Sequence, residues 1–254
     1  MKFLWVFSIK DIKQFLLVAT AFIITFVIIY NEKDNISVFI NSKETNAIYS
    51  VETKKKQIAL TFDISWGDVR QGPILDILEE NGLMGKVTFF LSSPWSQEHP
   101  ETINRIVQSG YEIGNHGDKH LNYTDLEAED IKYDIVKAGN ILYTLTGQRP
   151  NLIRTPNGTL DNNVLTITKE LGYTVIQWDT DSKDWTNPGV NEIVSRVLTH
   201  VHPGDIILMH ASDSSKQTHE ALPIIIDRLK KEGYIFLTVS QLISDSKIDL
   251  SEIK

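Results

Sequence analysis

The chain has 254 residues, a formal net charge of -8 and no cysteine. That length allows one large domain or two small ones, and the missing thiols exclude a disulfide framework and a thiolate metal site, so any metal must be held by His, Asp or Glu. No basic patch offsets the acidic balance, which argues against a nucleic-acid partner.

The first segment differs in composition from the rest. Phe15 to Tyr30, FLLVATAFIITFVIIY, carries no charge. A helix of that length spans roughly 24 Å, a little short of a hydrocarbon core of about 30 Å, so flanking residues would snorkel or the bilayer would thin. Lys2, Lys10 and Lys13 precede the run, which keeps the N-terminus in the cytoplasm and sends the remainder across. The expectation is a single-pass membrane anchor over 1–31 with the rest of the chain extracytoplasmic. A cleaved signal peptide is the rival, although no A-x-A-like site follows Tyr30. Residues 32–55 are polar and read as a tether, 56–245 as the folded domain, and 246–254 as a polar tail.

From Ile58 onward strand and helix patterns alternate. Strands are predicted at Ile58–Phe62, Val87–Leu91, Tyr111–Gly114, Leu152–Ile153, Tyr173–Trp178, Asp205–Met209 and Tyr234–Val239. Helical periodicity covers Pro73–Glu80, Glu101–Ser109, Asp125–Leu145, Asn162–Leu171, Val190–His200 and His219–Lys231. Thr124 and Glu127 have capping-box spacing, and Gly82, Gly110, Gly147, Gly172 and Gly233 stand where a left-handed residue closes a helix. The alternation predicts an α/β fold with a parallel sheet, closed as a barrel or open and doubly wound.

The polar residues just past the predicted strand ends form a series: Asp63, His116 and His120, Arg154, Asp179, Asp181 and Asp184, then His210. That edge is where α/β barrels place their chemistry. Within it, two imidazoles at i and i+4 are expected to share one side of a helical turn and to chelate one ion. Asp63 is the natural oxygen neighbour. Taken singly, Asp179 and Asp181 read as a solvated acidic loop, an alternative that also stands for Asp184; Trp66 and Trp95 read as core aromatics or as sugar platforms, and Trp178, inside a predicted strand, as core.

Together these residues carry a resemblance. Thr61-Phe-Asp63, His116-x-x-x-His120, Arg154-Thr-Pro-Asn-Gly158, Asp181-Ser-Lys-Asp-Trp185 and Leu208-Met-His210 resemble, in order and spacing, the five motifs of polysaccharide deacetylases with a NodB homology domain, carbohydrate esterase family 4. FDISWGD after a short N-terminal anchor resembles the sporulation-associated PdaB-type members. The resemblance implies a distorted (β/α) barrel of about seven parallel strands and metal-dependent removal of N-acetyl groups from a cell-wall polysaccharide, peptidoglycan, during sporulation. It implies zinc, with cobalt or nickel as alternatives, on His116 and His120. It also implies Asp63 as base, Arg154 as the cation beside it, and His210 as acid oriented by Asp184. Asn157 would help hold the oxyanion, while Trp185 and Leu208 would line the slot for the acetyl methyl.

One position departs from the pattern. The residue after the first aspartate, a metal-binding aspartate in the family, is Ile64 here. Three outcomes stay open: a weak or empty metal site, replacement by Asp68 through a looped 64–67 segment, or ligation by Asp63 itself. A catalytically silent protein that binds peptidoglycan or a partner is therefore the alternative to an active deacetylase. A glycosidase carboxylate pair is a third reading, which would leave the two histidines without a purpose.

Overall fold

The computed structural model describes Thr20 and residues 46–251. The apolar run proposed as an anchor otherwise lies outside the described residues, and no helix among these is long and apolar enough to cross a membrane. Residues Thr45–Lys254 cluster as one unit.

β1 (Gln57–Ile64) is buried at every position because it lies between two apolar layers. Ile58, Leu60, Phe62 and Ile64 join the larger core cluster, where they meet residues of the surrounding helices. Ala59 faces the other way, into a smaller core with Phe90, Leu152, Ile176 and Ile206. This alternation puts Thr61 and Asp63 on the inner side. Full burial of each large aliphatic side chain is worth about 1.5–3 kcal/mol, so the register of β1 is fixed by its outward face.

Seven strands follow: β2 (Thr88–Leu91), β3 (Glu112–Asn115), β4 (Leu152–Ile153), β5 (Thr174–Val175), β6 (Thr180–Asp181), β7 (Ile206–His210) and β8 (Ile235–Leu237). All pairings between them are parallel, in the order β5-β4-β3-β2-β1-β7-β6, with β8 joining only the start of β1. The seven-strand path is a curled sheet with helices outside, as expected for a distorted barrel. Ile48 bridges to Ile176 and Ser50 to Asp205, so a short segment spans the open side. That segment was expected in the tether, yet it pairs with the domain.

The helices are α1 (Gln71–Glu80), α2 (Ser93–Glu98), α3 (Pro100–Gln108), α4 (Ala128–Thr146), α5 (Asn162–Glu170), α6 (Val190–His200), α7 (Thr218–Lys231) and α8 (Val239–Ser251). The five glycines expected at helix ends all have left-handed angles. Two expectations fail. Thr124 lies in a 3-10 turn and the N-cap of α4 is Glu127 without a side-chain bond, so the capping box does not form. Residues 246–251 continue α8 instead of forming a tail, since Val239, Leu242 and Ile243 of that helix pack into the inner core.

Candidate active site

The sequence-predicted edge residues converge. Asp63 and His210 are direct register partners on β1 and β7. Asp63, His116, His120, Asn157, Trp185, Leu208 and His210 all line one cleft of about 360 Å³.

Asp63 is held by Arg154. The Arg154 Nη1 donates to Asp63 Oδ1 at 2.7 Å and to Thr61 Oγ1 at 2.9 Å, while Nη2 donates to the Gln177 carbonyl at 3.0 Å. Its guanidinium lies over the Phe90 ring at 4.2 Å, and the side chain is fully buried. Phe90 fits there because residue 114 is glycine; a Cβ would stand 2.4 Å from the ring. Burial raises the Asp63 carboxyl pKa, but the Arg154 charge and hydrogen bond, together with His116 and His210, outweigh it and leave the value below the ordinary one. The carboxylate is thus kept ionised in a dry site.

His210 is held by Asp184, which is fully buried just past β6. Asp184 Oδ1 pairs with His210 Nδ1 at 2.7 Å, and its Oδ2 accepts the His210 main-chain N–H at 2.8 Å and the Thr218 hydroxyl at 2.7 Å. Burial lowers the imidazole pKa; Asp184, with Asp63 and Asp181 behind it, more than reverses this and raises it above the ordinary value.

His116 is buried beside Asp63, with Nε2 3.7 Å from Asp63 Oδ2. Its Nδ1 stands 2.8 Å from the Arg154 carbonyl, which fixes Nδ1 as the donor and leaves the Nε2 lone pair facing the cleft. Burial pushes its pKa down to about 4, and burial also lowers that of His120. Both imidazoles are neutral near pH 7, as metal ligation requires. The rings are 5.2 Å apart and 70° inclined. Contrary to expectation they do not share a helical turn: residues 116–122 form an irregular loop after β3.

This donor set suits a divalent ion in kind, two neutral imidazoles beside one carboxylate. Their placement does not match: among the described residues no three His, Asp or Glu are grouped closely enough to hold a metal. Ile64 explains part of this: its side chain is buried in the outer apolar layer, on the opposite side of β1 from Asp63. Asp68 does not replace it. That carboxylate is 83% exposed, pairs with His99 Nε2 at 2.6 Å, and is not part of the cleft wall.

Sequence reasoning undervalued some cleft residues. Trp66 is 54% exposed on the cleft, and Trp178 lines it too; Trp95 is buried. Asp181 is also a wall residue, its Oδ2 2.8 Å from Lys183 Nζ, which itself lies over the Trp185 ring. Asp179, by contrast, faces away and pairs with His202. The i, i+2 spacing of Asp181 and Lys183 was the available signal. Ser65, Ser212 and Ser214 carried none.

A curled parallel sheet with a carboxylate–arginine pair and a histidine–aspartate pair facing one cleft defines a hydrolase-like barrel. Residues 50–176 match the polysaccharide deacetylase family model. The chain is 34% identical over 198 residues to a peptidoglycan-N-acetylglucosamine deacetylase of Bacillus cereus, covering 77% of this chain and 92% of that protein. It is 32% identical over 212 residues to the peptidoglycan-N-acetylmuramic acid deacetylase PdaA of Bacillus subtilis, covering 82% and 79%. It also resembles the crystal structure of a carbohydrate esterase family 4 pseudoenzyme from Bacillus anthracis, with TM-score 0.73, 31% identity and coverage of 79% and 69%. The chain belongs to the polysaccharide deacetylase family.

Proposed function

We propose that this protein is an N-deacetylase of a cell-wall polysaccharide, peptidoglycan by analogy with its relatives, acting outside the membrane through its folded domain, which is tethered to an anchor at 1–31. The observation that carries the reading is the register pairing of Asp63 with His210: a carboxylate kept ionised by Arg154 faces an imidazole kept protonated by Asp184. General base and general acid need those opposite states at one pH.

Asp63 takes a proton from water as its oxygen attacks the acetamide carbonyl, and His210 gives a proton to the departing amine. The new C–O bond replaces the C–N bond, releasing acetate and the free amino sugar. A divalent ion on His116 and His120, zinc by family resemblance, would supply Lewis acidity toward the carbonyl. Leu208 and the Trp185 ring give the methyl an apolar wall, and the Asn157 turn lies across the cleft, suited to an oxyanion donor. The sporulation role rests on the resemblance of FDISWGD alone.

The test is acetate release from peptidoglycan by the full chain in detergent with zinc, cobalt or nickel, beside Asp63→Asn. Release by the parent, reduced at least about 100-fold in the variant, supports the assignment. No release at saturating metal favours the second reading, a silent glycan-binding protein. That no three His, Asp or Glu among the described residues are grouped to hold a metal is the observation behind that second reading.

A further inference from the structure

His116 and His120 are held in different ways. His116 has its main-chain N–H on the Leu91 carbonyl at 3.0 Å and its ring on the Arg154 carbonyl, so the sheet itself fixes it. His120 ends a loop that departs from the sheet and has a left-handed φ of 51°. For a non-glycine residue that conformation is unfavourable and persists only where the surroundings hold it.

The enforcing group is on α4. Asp134, 2% exposed, accepts the Asp118 N–H at 2.8 Å and the Tyr123 hydroxyl at 2.8 Å on Oδ2, and the Lys119 N–H at 3.0 Å on Oδ1. Its carboxylate thus gathers two amides from inside the loop and one hydroxyl from just beyond it. The approach is close: a Cβ at residue 117, where φ is 77°, would stand 2.9 Å from Asp134 Oδ2 and 2.6 Å from the Tyr123 hydroxyl. Asp118 is tied in turn, its Oδ1 to the Ser93 hydroxyl at 2.6 Å and its Oδ2 to Lys137 Nζ at 2.7 Å.

We propose that Asp134 is a positioning residue for His120: by clamping the amides of residues 118 and 119, it sets where the second imidazole stands relative to His116. The geometric claim is independent of the deacetylase reading, and only its consequence for metal affinity rests on that reading. Because His116 has its own anchors, loss of the clamp displaces one histidine of the pair and leaves the other.

Imidazole NMR of the metal-free full chain at fixed pH tests this in Asp134→Asn. An amide nitrogen there faces an N–H or O–H donor in either orientation, so at least one loop bond is lost. The His120 ring signals are expected to shift or broaden while those of His116 and His210 stay in place. Zinc affinity, measured by calorimetry, is expected to fall 10–100-fold. Unchanged His120 signals in the folded variant overturn the proposal, as does equal movement of all three histidines, which indicates general loosening. Should Asp134→Asn not fold, Tyr123→Phe removes one donor to the same carboxylate and must perturb His120 selectively, if less strongly. No response there also overturns it. Acetate release by the parent is scored separately, so failure of the enzyme assignment cannot be mistaken for failure of the clamp.

Discussion

The His210 pKa is raised because Asp184, with Asp63 and Asp181 behind it, outweighs the burial that favours the neutral ring. Replacing Asp184 with Asn removes the largest of the raising charges and leaves the burial, so the His210 pKa falls. An acid that must be protonated then fails earlier as pH rises: the alkaline limb of kcat/KM is expected to move down by about one unit or more. A pH–rate profile of Asp184→Asn with its alkaline limb unmoved would remove His210 from the acid role. The Ile64 side chain leads to a second expectation. Since it packs among apolar residues on the outer face of β1, Ile64→Asp does not simply restore a ligand to the cleft. It places a carboxyl where no donor waits, at a cost of about 3 kcal/mol. Thermal unfolding of the metal-free variant should therefore fall by roughly 6–12 °C. An unchanged melting temperature would mean that the strand end can turn residue 64 toward the cleft.

The loop between β1 and α1 is built by a residue far away in sequence. Asp213, just after β7, accepts the N–H groups of Asp68, Val69 and Arg70 at 3.0, 3.0 and 2.9 Å, so it gathers the loop that leads into α1. The same loop presents Trp66 to the cleft. Asp213→Ala should cost about 2 kcal/mol, as losing a charged acceptor for loop N–H groups does, and should raise KM for a polymeric glycan while leaving kcat nearly unchanged. A fall in kcat with KM unaltered would place Asp213 in the chemistry instead. Remote clamps such as Asp213 and Asp134 leave no trace in local pattern, which is why neither was legible in the sequence. What was legible followed from short-range physics: the apolar run of β1 ending at Asp63, the glycines closing helices, the polar series past the strand ends. β6 is only Thr180–Asp181 and holds no apolar residue, so unlike the equally short Leu152–Ile153 it carries no apolar signal to detect. α2, six residues framed by Pro94 and Pro100, is equally short. The histidine pair was found by spacing but assigned to a helix, because i, i+4 spacing alone does not distinguish a helical turn from a loop clamped by Asp134.

The site also governs how stability responds to pH. His116 has a folded pKa of about 4, below the ordinary 6.5, and that of His120 is lowered too. Between those values the unfolded chain binds a proton that the native site refuses, so stability falls as pH drops from about 6.5 toward 4. His210 acts in the opposite sense. Its raised folded pKa gives a contribution that is complete below about 6.5 and is lost as pH rises through the folded value. Asp63, with a lowered pKa, contributes above the ordinary carboxylate value, and that share disappears only as pH falls through its folded pKa. The three windows barely overlap, so histidines dominate the acid slope down to about pH 4 and Asp63 takes over below it. Melting temperatures measured from pH 4 to 7 should therefore rise with pH in the parent, and the slope should flatten in His116→Gln, which has no proton to refuse. A slope unchanged by that substitution would show that His116 is solvated and free to charge, and the closed, desolvated geometry beside Asp63 would have to be given up.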